Sequence, residues 1–273
     1  MYGNSKLMSD YKISKRDVGR LGGLARQVKH GNLGTPEGRR LGGLRSQSTH
    51  KKNNTGFIIL RNVDLPKYSV QLAETFGILA GDGHIGLYQV SVTTNSETDI
   101  KHAQYVQKLF ENLFHVPVHM TKRKASKAVV VVMSSKQIAD FCVKHGLTRG
   151  NKVRAQLDVP MWIQKNKKFS TAFVRGLFDT DGSVYVDVHN IRGKEYRNIG
   201  IAFTNRSVPL LSFFKRTLEL YGFHPTQKTK YIVFLRREAE VFRYFDVVGS
   251  SNSKHLDKLH AYQQEKGRVP KRS

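Results

Sequence analysis

Two aspartates stand in matched surroundings 99 residues apart. Asp82 closes the run Thr75-Phe76-Gly77-Ile78-Leu79-Ala80-Gly81-Asp82-Gly83, and Asp181 closes Val174-Arg175-Gly176-Leu177-Phe178-Asp179-Thr180-Asp181-Gly182. Small residues recur at Ala73, Gly77 and Gly81 in one copy and at Ala172, Gly176 and Thr180 in the other. Positions i, i+4 and i+8 share one face of a helix. Glycine inside a helix costs about 1 kcal/mol relative to alanine, so matched glycines imply that one copy packs closely on the other. Such packing sets Asp82 and Asp181 side by side at two helix C-termini, where the dipole disfavours an anion and mutual repulsion drives one carboxyl to hold its proton. A divalent cation removes both difficulties. The carbonyls of Gly81 and Thr180 add hard oxygen ligands, which suits Mg²⁺ with water and phosphate completing its shell. Ions held this way can stabilise both oxygens of an in-line phosphodiester displacement. A single Asp-Gly after an apolar run reads as a helix stop or a turn; the second copy, with its stripe and following strand, favours the site.

The elements that must position these residues repeat with them. The first unit reads as a helix Ser69 to about Gly81, strands within His84 to Thr94, a helix near Asp99 to Phe114, strands Val116–Lys124 and Lys127–Met133, and a helix Ser135–His145. The second reads as a helix Ser170 to about Thr180, strands near Ser183–His189 and Asn198–Phe203, a helix Ser207–Tyr221, strands near Thr226 and Tyr231–Leu235, and a helix Arg237–Val247. Val184, Val186 and Val188 alternate with polar residues, as do Val90 and Val92, giving strands with one buried and one polar face. The expected class is α+β: two pseudo-symmetric αββαββα units.

Composition narrows the partners. The 273 residues carry 46 Lys+Arg against 21 Asp+Glu, a formal net charge of +25. Charge of that size repels itself in the folded state and points to an anionic partner, nucleic acid above all. The first 56 residues hold 10 of the 23 glycines, 12 Lys+Arg and 3 Asp+Glu. In them Arg20-Leu21-Gly22-Gly23-Leu24 returns as Arg40-Leu41-Gly42-Gly43-Leu44, and Thr35-Pro36 reads as an N-cap with proline at the first helical position. The domain reading is a basic Gly-rich arm over 1–63 with candidate DNA-binding helices, a first unit over 64–157, and a second over 158–273 with a basic C-terminal tail. The lone Cys142 excludes a disulfide framework and a cysteine zinc site. No signal peptide or membrane span is read, and the expectation is a soluble, intracellular protein.

At the two nonapeptides the chain resembles the LAGLIDADG homing endonuclease family, and the resemblance runs from about Ser69 to Lys258. It covers Gly150-Asn151-Lys152-Val153-Arg154 and Val159-Pro160-Met161-Trp162-Ile163 between the halves, and Val248-Gly249-Ser250-Ser251-Asn252-Ser253-Lys254-His255 near the end. It implies a saddle of antiparallel sheets packed through two central helices, with Asp82 and Asp181 as metal-holding residues for Mg²⁺ or Mn²⁺. Ala80 departs from the pattern, standing where Asp179 keeps an earlier aspartate of the signature. The resemblance also sets Lys152 and Lys254 near the scissile phosphate and its water, where an ammonium stabilises developing charge. The implied activity is site-specific cleavage of duplex DNA by a monomer on a long asymmetric site, in the manner of an intron-borne enzyme.

The remaining candidates follow from position. Lys122, Arg123, Lys124 and Lys127 fall at a hairpin tip, with Lys228 and Lys230 in the equivalent place; Lys165, Lys167 and Lys168 fall between the halves. These suit phosphate contact. Tyr185, His189 and Arg192 are placed for base edges, Asn95 and Asn205 for orienting water, and His84 follows the first motif without a histidine counterpart in the second. The main alternative on the same scaffold is an RNA-binding intron maturase. A non-cleaving DNA-binding regulator conflicts with two retained aspartates, and an intein with the residues at the chain ends.

Overall fold

The computed structural model describes residues 14–30, 34–53, 63–123 and 126–268. The chain divides into two compact units, Met1–Ile59 and Leu60–Ser273. The first contains helices α1 (Lys15–His30) and α2 (Pro36–Asn53). Thr35 caps α2 as expected, its Oγ1 accepting the Gly38 N–H at 3.1 Å, with Pro36 opening the helix. A Cβ built at Gly19, Gly22, Gly23, Gly42 or Gly43 meets nothing within 4 Å.

In the second unit the two halves have the same element order. The first half comprises α3 (Val70–Gly81), β1 (Gly83–Ile85), β2 (Val90–Asn95), α4 (Ile100–Phe114), β3 (Val118–Lys122), β4 (Ala128–Met133) and α5 (Lys136–Lys144). A short α6 (Met161–Gln164) leads into the second: α7 (Lys167–Asp181), β5 (Gly182–Ile191), β6 (Lys194–Thr204), α8 (Val208–Leu220), β7 (Thr226–Thr229), β8 (Ile232–Leu235) and α9 (Glu238–Val247). The antiparallel sheets have matching orders, β1-β2-β4-β3 and β5-β6-β8-β7. The protein is an α+β fold packed through α3 and α7.

Local chemistry sets the boundaries. Ser69 and Ser135 cap α3 and α5 by accepting the N–H groups of Leu72 and Ile138, the usual way to satisfy orphan donors at a helix start. Two expectations are corrected. α7 begins at Lys167 rather than Ser170, because the Asn166 side chain accepts from Lys168 N and Phe169 N at 2.9 and 3.2 Å. Lys167 and Lys168 therefore belong to its first turn, and Ser170 lies buried within the helix with its Oγ donating to Ile163 O at 3.0 Å. A further helix of sixteen residues, α10, runs from Ser253 to Arg268. Its Leu259 and Tyr262 are buried, and Lys258 Nζ and Tyr262 Oη donate to the carbonyls of Val184 and Arg197 at 3.1 and 3.0 Å.

The sheets differ in reach. The β5–β6 hairpin pairs ten residues against their partners and turns at Arg192 (φ 51°) and Gly193 (φ 79°), a pair of positive φ angles suited to a tight hairpin; β1 spans three residues. Under the sheets lie Phe76, Phe110 and Phe114 in the first half and Phe173, Phe178, Phe203, Phe214 and Tyr244 in the second, all fully buried. Cys142 is a free, buried thiol pushed up to about 12 by burial, which makes it unreactive. No helix among the described residues is long and apolar enough to cross a membrane.

Candidate active site

α3 and α7 meet backbone to backbone. A Cβ at Gly77 would lie 2.2 Å from Phe173 O, and one at Gly176 2.3 Å from Glu74 O. A Cβ at Gly81 would lie 2.0 Å from Thr180 Oγ1 and 3.2 Å from Asp181 Oδ2. The small-residue stripes expected from the sequence therefore face each other. One ion pair crosses the seam, from the Arg175 guanidinium to the buried Glu74 carboxylate, which also accepts from Tyr105 Oη and Ser251 Oγ at 2.7 and 2.6 Å.

The two aspartates come together where the helices end. Asp82 is the C-cap of α3, its N–H on Ile78 O at 3.1 Å, and Asp181 is the last residue of α7. Burial raises the Asp82 pKa to about 7, reinforced by the Asp181 charge and opposed by Lys152. Burial likewise raises Asp181 to about 6, opposed by Lys152 and by a hydrogen bond from Asn205 Nδ2 at 2.8 Å. Lys152 Nζ donates to Leu79 O at 3.1 Å and to Gly81 O. Burial lowers its own pKa, and Asp181 and Asp82 oppose that fall. A cleft of about 240 Å³ opens here, lined by Gly81, Lys152, Asp181, Asn205 and Arg206 among others.

Among the described residues no three His, Cys, Asp or Glu side chains converge as a metal cluster. The donor set is two desolvated carboxylates and the Gly81 carbonyl, the last accepting from the Lys152 ammonium. Hard oxygens beside a cation fit an ion such as Mg²⁺, which keeps waters and is bound by one or two carboxylates plus phosphate.

The two motif lysines are not equivalent. Lys254 Nζ pairs with Asp99 Oδ1 at 2.6 Å, and the same carboxylate accepts from Asn252 Nδ2 at 2.8 Å and Thr98 Oγ1 at 2.6 Å. Lys254 is close enough to Asp82 to lower its pKa slightly. Asp179, where the first copy has Ala80, is buried and accepts from Ser250 Oγ and from the Ser251 N–H at 2.8 Å. It thereby ties the segment before α10 to α7.

The other candidates spread out. Tyr185 and His189 share one face of β5: the Tyr185 ring lies across Gly200, and His189 stacks on Tyr196 with centroids 5.9 Å apart. Arg192 is at the hairpin turn. Lys122 ends β3, Arg123 follows it, and Lys127 pairs with Glu97 at 2.9 Å, all exposed. Lys228 is exposed on β7, and Lys230 sits over the Tyr231 ring at 5.3 Å. Lys124 lies outside the described residues. His84 is exposed on β1 opposite Ser91. Asn95 is committed to the turn after β2, accepting from Glu97 N and Thr98 N.

Sequence reasoning missed Asp99, the partner of Lys254, and the bond between Glu74 and Arg175. The signal for the latter was present as Glu74, the one charged residue of α3, and Arg175, the one base of α7 beyond its first turn.

Residues 168–258 match the model of the LAGLIDADG-like domain. Over 151 residues, 50% of this chain, the sequence is 27% identical to the tRNA-splicing ligase RtcB of Methanopyrus kandleri, of which the match spans 15%. Among solved structures, a mesophilic variant of the homing endonuclease I-DmoI aligns at TM-score 0.45 and 18% identity over 67% of this chain and 97% of that one. I-SmaMI bound to an uncleaved DNA target with calcium aligns at TM-score 0.48 and 13% identity over 75% and 95%. The stretch that holds Asp181, Asn205 and Lys254 therefore lies within the match to the LAGLIDADG-like domain.

Proposed function

We propose that this chain is a site-specific endonuclease of duplex DNA that hydrolyses phosphodiester bonds with a divalent cation, Mg²⁺ or Mn²⁺. The observation that carries the reading is the backbone contact of α3 and α7, which ends both helices together so that the Asp181 charge bears on Asp82, beside a cleft that Asp181 lines. The LAGLIDADG-like match over 168–258 supports it, as do the uncleaved DNA target in the I-SmaMI complex and the DNA and Mn in a complex of I-DmoI. Asp82, Asp181 and the carbonyls of Gly81 and Thr180 are the groups that would hold the ion. When bound, it polarises the phosphate and lowers the pKa of water. Asn205 fixes the orientation of Asp181 by its hydrogen bond. Lys122, Arg123, Lys127, Lys228 and Lys230 contact phosphates, while Tyr185, His189 and Arg192 approach base edges. Two unequal halves on one chain suit a monomer on an asymmetric site, its docking units about 10 bp apart. Cleavage selection on a randomised duplex library tests this, with wild type, Asp82→Asn and Asp181→Asn in parallel and Mg²⁺ present. Wild type selects a defined site and each variant loses cutting by roughly 10²-fold or more. Undiminished cutting by Asp181→Asn would overturn the assignment.

A further inference from the structure

Three consecutive residues of the second half, Ser250, Ser251 and Asn252, all bond Asp179, and two of them also reach a buried carboxylate of the first half. We propose that this segment is a clasp that fixes the last turn of α7 against the first half, and that Asn252 is the residue that positions Asp181 for the divalent ion. The inference rests on the reading of Asp181 as a metal carboxylate.

The grip is firmest at Asn252. This residue is buried, and its Nδ2 donates to Asp179 O at 3.0 Å and to Asp99 Oδ1 at 2.8 Å. Asp179 O is among the last carbonyls of α7, which have no partner inside the helix. Asp99 holds the cap position of α4. One side chain therefore joins the end of a second-half helix to the start of a first-half helix. Its Oδ1 accepts the Lys254 N–H at 3.1 Å, so the same residue sets the backbone of that lysine. Ser251 makes a second crossing: its N–H meets Asp179 Oδ2 at 2.8 Å, and its Oγ donates to Glu74 Oε1 on α3 at 2.6 Å. Residues two apart on a helix point in nearly opposite directions. The last turn of α7 is thus gripped through Asp179 on one side and, on the other, through the bond from Asn205 to Asp181.

The first half is held differently. Ala80 aligns with Asp179 and offers no carboxylate to a clasp. The end of α3 is capped instead by the Lys152 ammonium on Leu79 O and Gly81 O. The clasp gives a reason for the earlier aspartate being kept in the second motif alone. Without Asn252, Asp179 O and the Asp99 carboxylate lose their shared donor, and the end of α7 can shift against α3. Groups that orient a metal ligand from behind are worth roughly 10–100-fold in ion affinity or activity.

Single-turnover cleavage of the selected duplex across a Mg²⁺ titration tests this, with the full chain as wild type, Asn252→Ala, Ser251→Ala and Ser170→Ala, each below its melting temperature. Ser170→Ala removes a buried hydrogen bond at the far end of α7 and reports a structural loss alone. The half-saturating Mg²⁺ concentration should rise about tenfold or more in Asn252→Ala and about two- to threefold in Ser251→Ala, which loses only the link to Glu74. It should not move in Ser170→Ala, and duplex affinity measured in Ca²⁺ should match wild type throughout. An unaltered Mg²⁺ requirement in Asn252→Ala overturns the clasp and leaves the endonuclease reading standing; where that variant does not fold, Ser251→Ala decides in the same way. An equal rise in Ser170→Ala overturns it too, since the change then reports lost stability. Absence of Mg²⁺-dependent cutting by wild type removes the endonuclease reading and the proposal with it.

Discussion

Replacing Gly77 by alanine tests the seam on which the site depends. The added methyl would stand 2.2 Å from the carbonyl oxygen of Phe173 and 3.1 Å from the amide nitrogen of Leu177. Both are backbone atoms of α7, so no rotamer change relieves the contact. The helices must separate by ~1 Å to restore ordinary packing, an overpacking that costs about 3 kcal/mol. Alanine returns about 1 kcal/mol through its better helix propensity. The net loss of about 2 kcal/mol lowers the melting temperature of a unit this size by ~4–8 °C. The separation also shifts Asp82 relative to Asp181, and misplacement of ~1 Å costs about 10²-fold in rate. Melting followed by circular dichroism and single-turnover cleavage read the two effects. Gly22→Ala in α1 is the control, because nothing lies within 4 Å of its Cβ; there only the propensity gain remains. A Gly77→Ala protein as stable as wild type would show that α3 and α7 do not touch through their backbones.

Two further outcomes follow from the charges. The carboxyl of Asp82 is raised from 3.8 to about 7 in the fold, so its stabilising contribution is complete below pH 4 and lost as pH rises through 7. Metal-free Asp82→Asn should therefore melt above wild type at pH 8, by an amount that shrinks as pH falls toward 4; a difference constant with pH refutes the shift. Comparison with the variant cancels the opposite contribution of buried His255, whose pKa falls to about 3. Replacing Lys122 and Lys228 together by glutamine should reduce the slope of log binding constant against log salt by about two, measured by fluorescence anisotropy on the selected duplex. An unchanged slope would show that neither lysine meets a phosphate.

Much of the fold was legible because its signals are periodic. The paired stripes, the valines that mark β2 and β5 as strands, and the serines before α3 and α5 each state a local geometry. The expectation of one buried and one polar face fails at Val188, exposed where the β5–β6 hairpin runs past the core, and at Ser91, which is buried. What escaped was of two kinds. α10 has few apolar positions, Leu256, Leu259 and Tyr262 among charged neighbours, and its helicity draws on packing against β5 that only the tertiary fold provides. The partner of Lys254 could not be read either, since Asp99 lies 155 residues away and enters as the cap position of α4. Long-range polar pairs carry no period. The proximity of Asp82 and Asp181 was legible because it follows from helix packing; the binding of Lys152 to helix-end carbonyls was not, because an exposed carbonyl has no mark in the sequence.

The ion pair between Glu74 and Arg175 also governs which halves can associate. Glu74 aligns with Phe173 in the duplicated sequence, and Phe76 aligns with Arg175. Two first halves brought together would bury two glutamates with no base between them, and two second halves would set together two partly exposed arginines without the Glu74 partner. The matched glycines would admit either homotypic assembly by shape. Electrostatics rejects both, and so directs each half toward the other copy on its own chain rather than toward its twin on a neighbour.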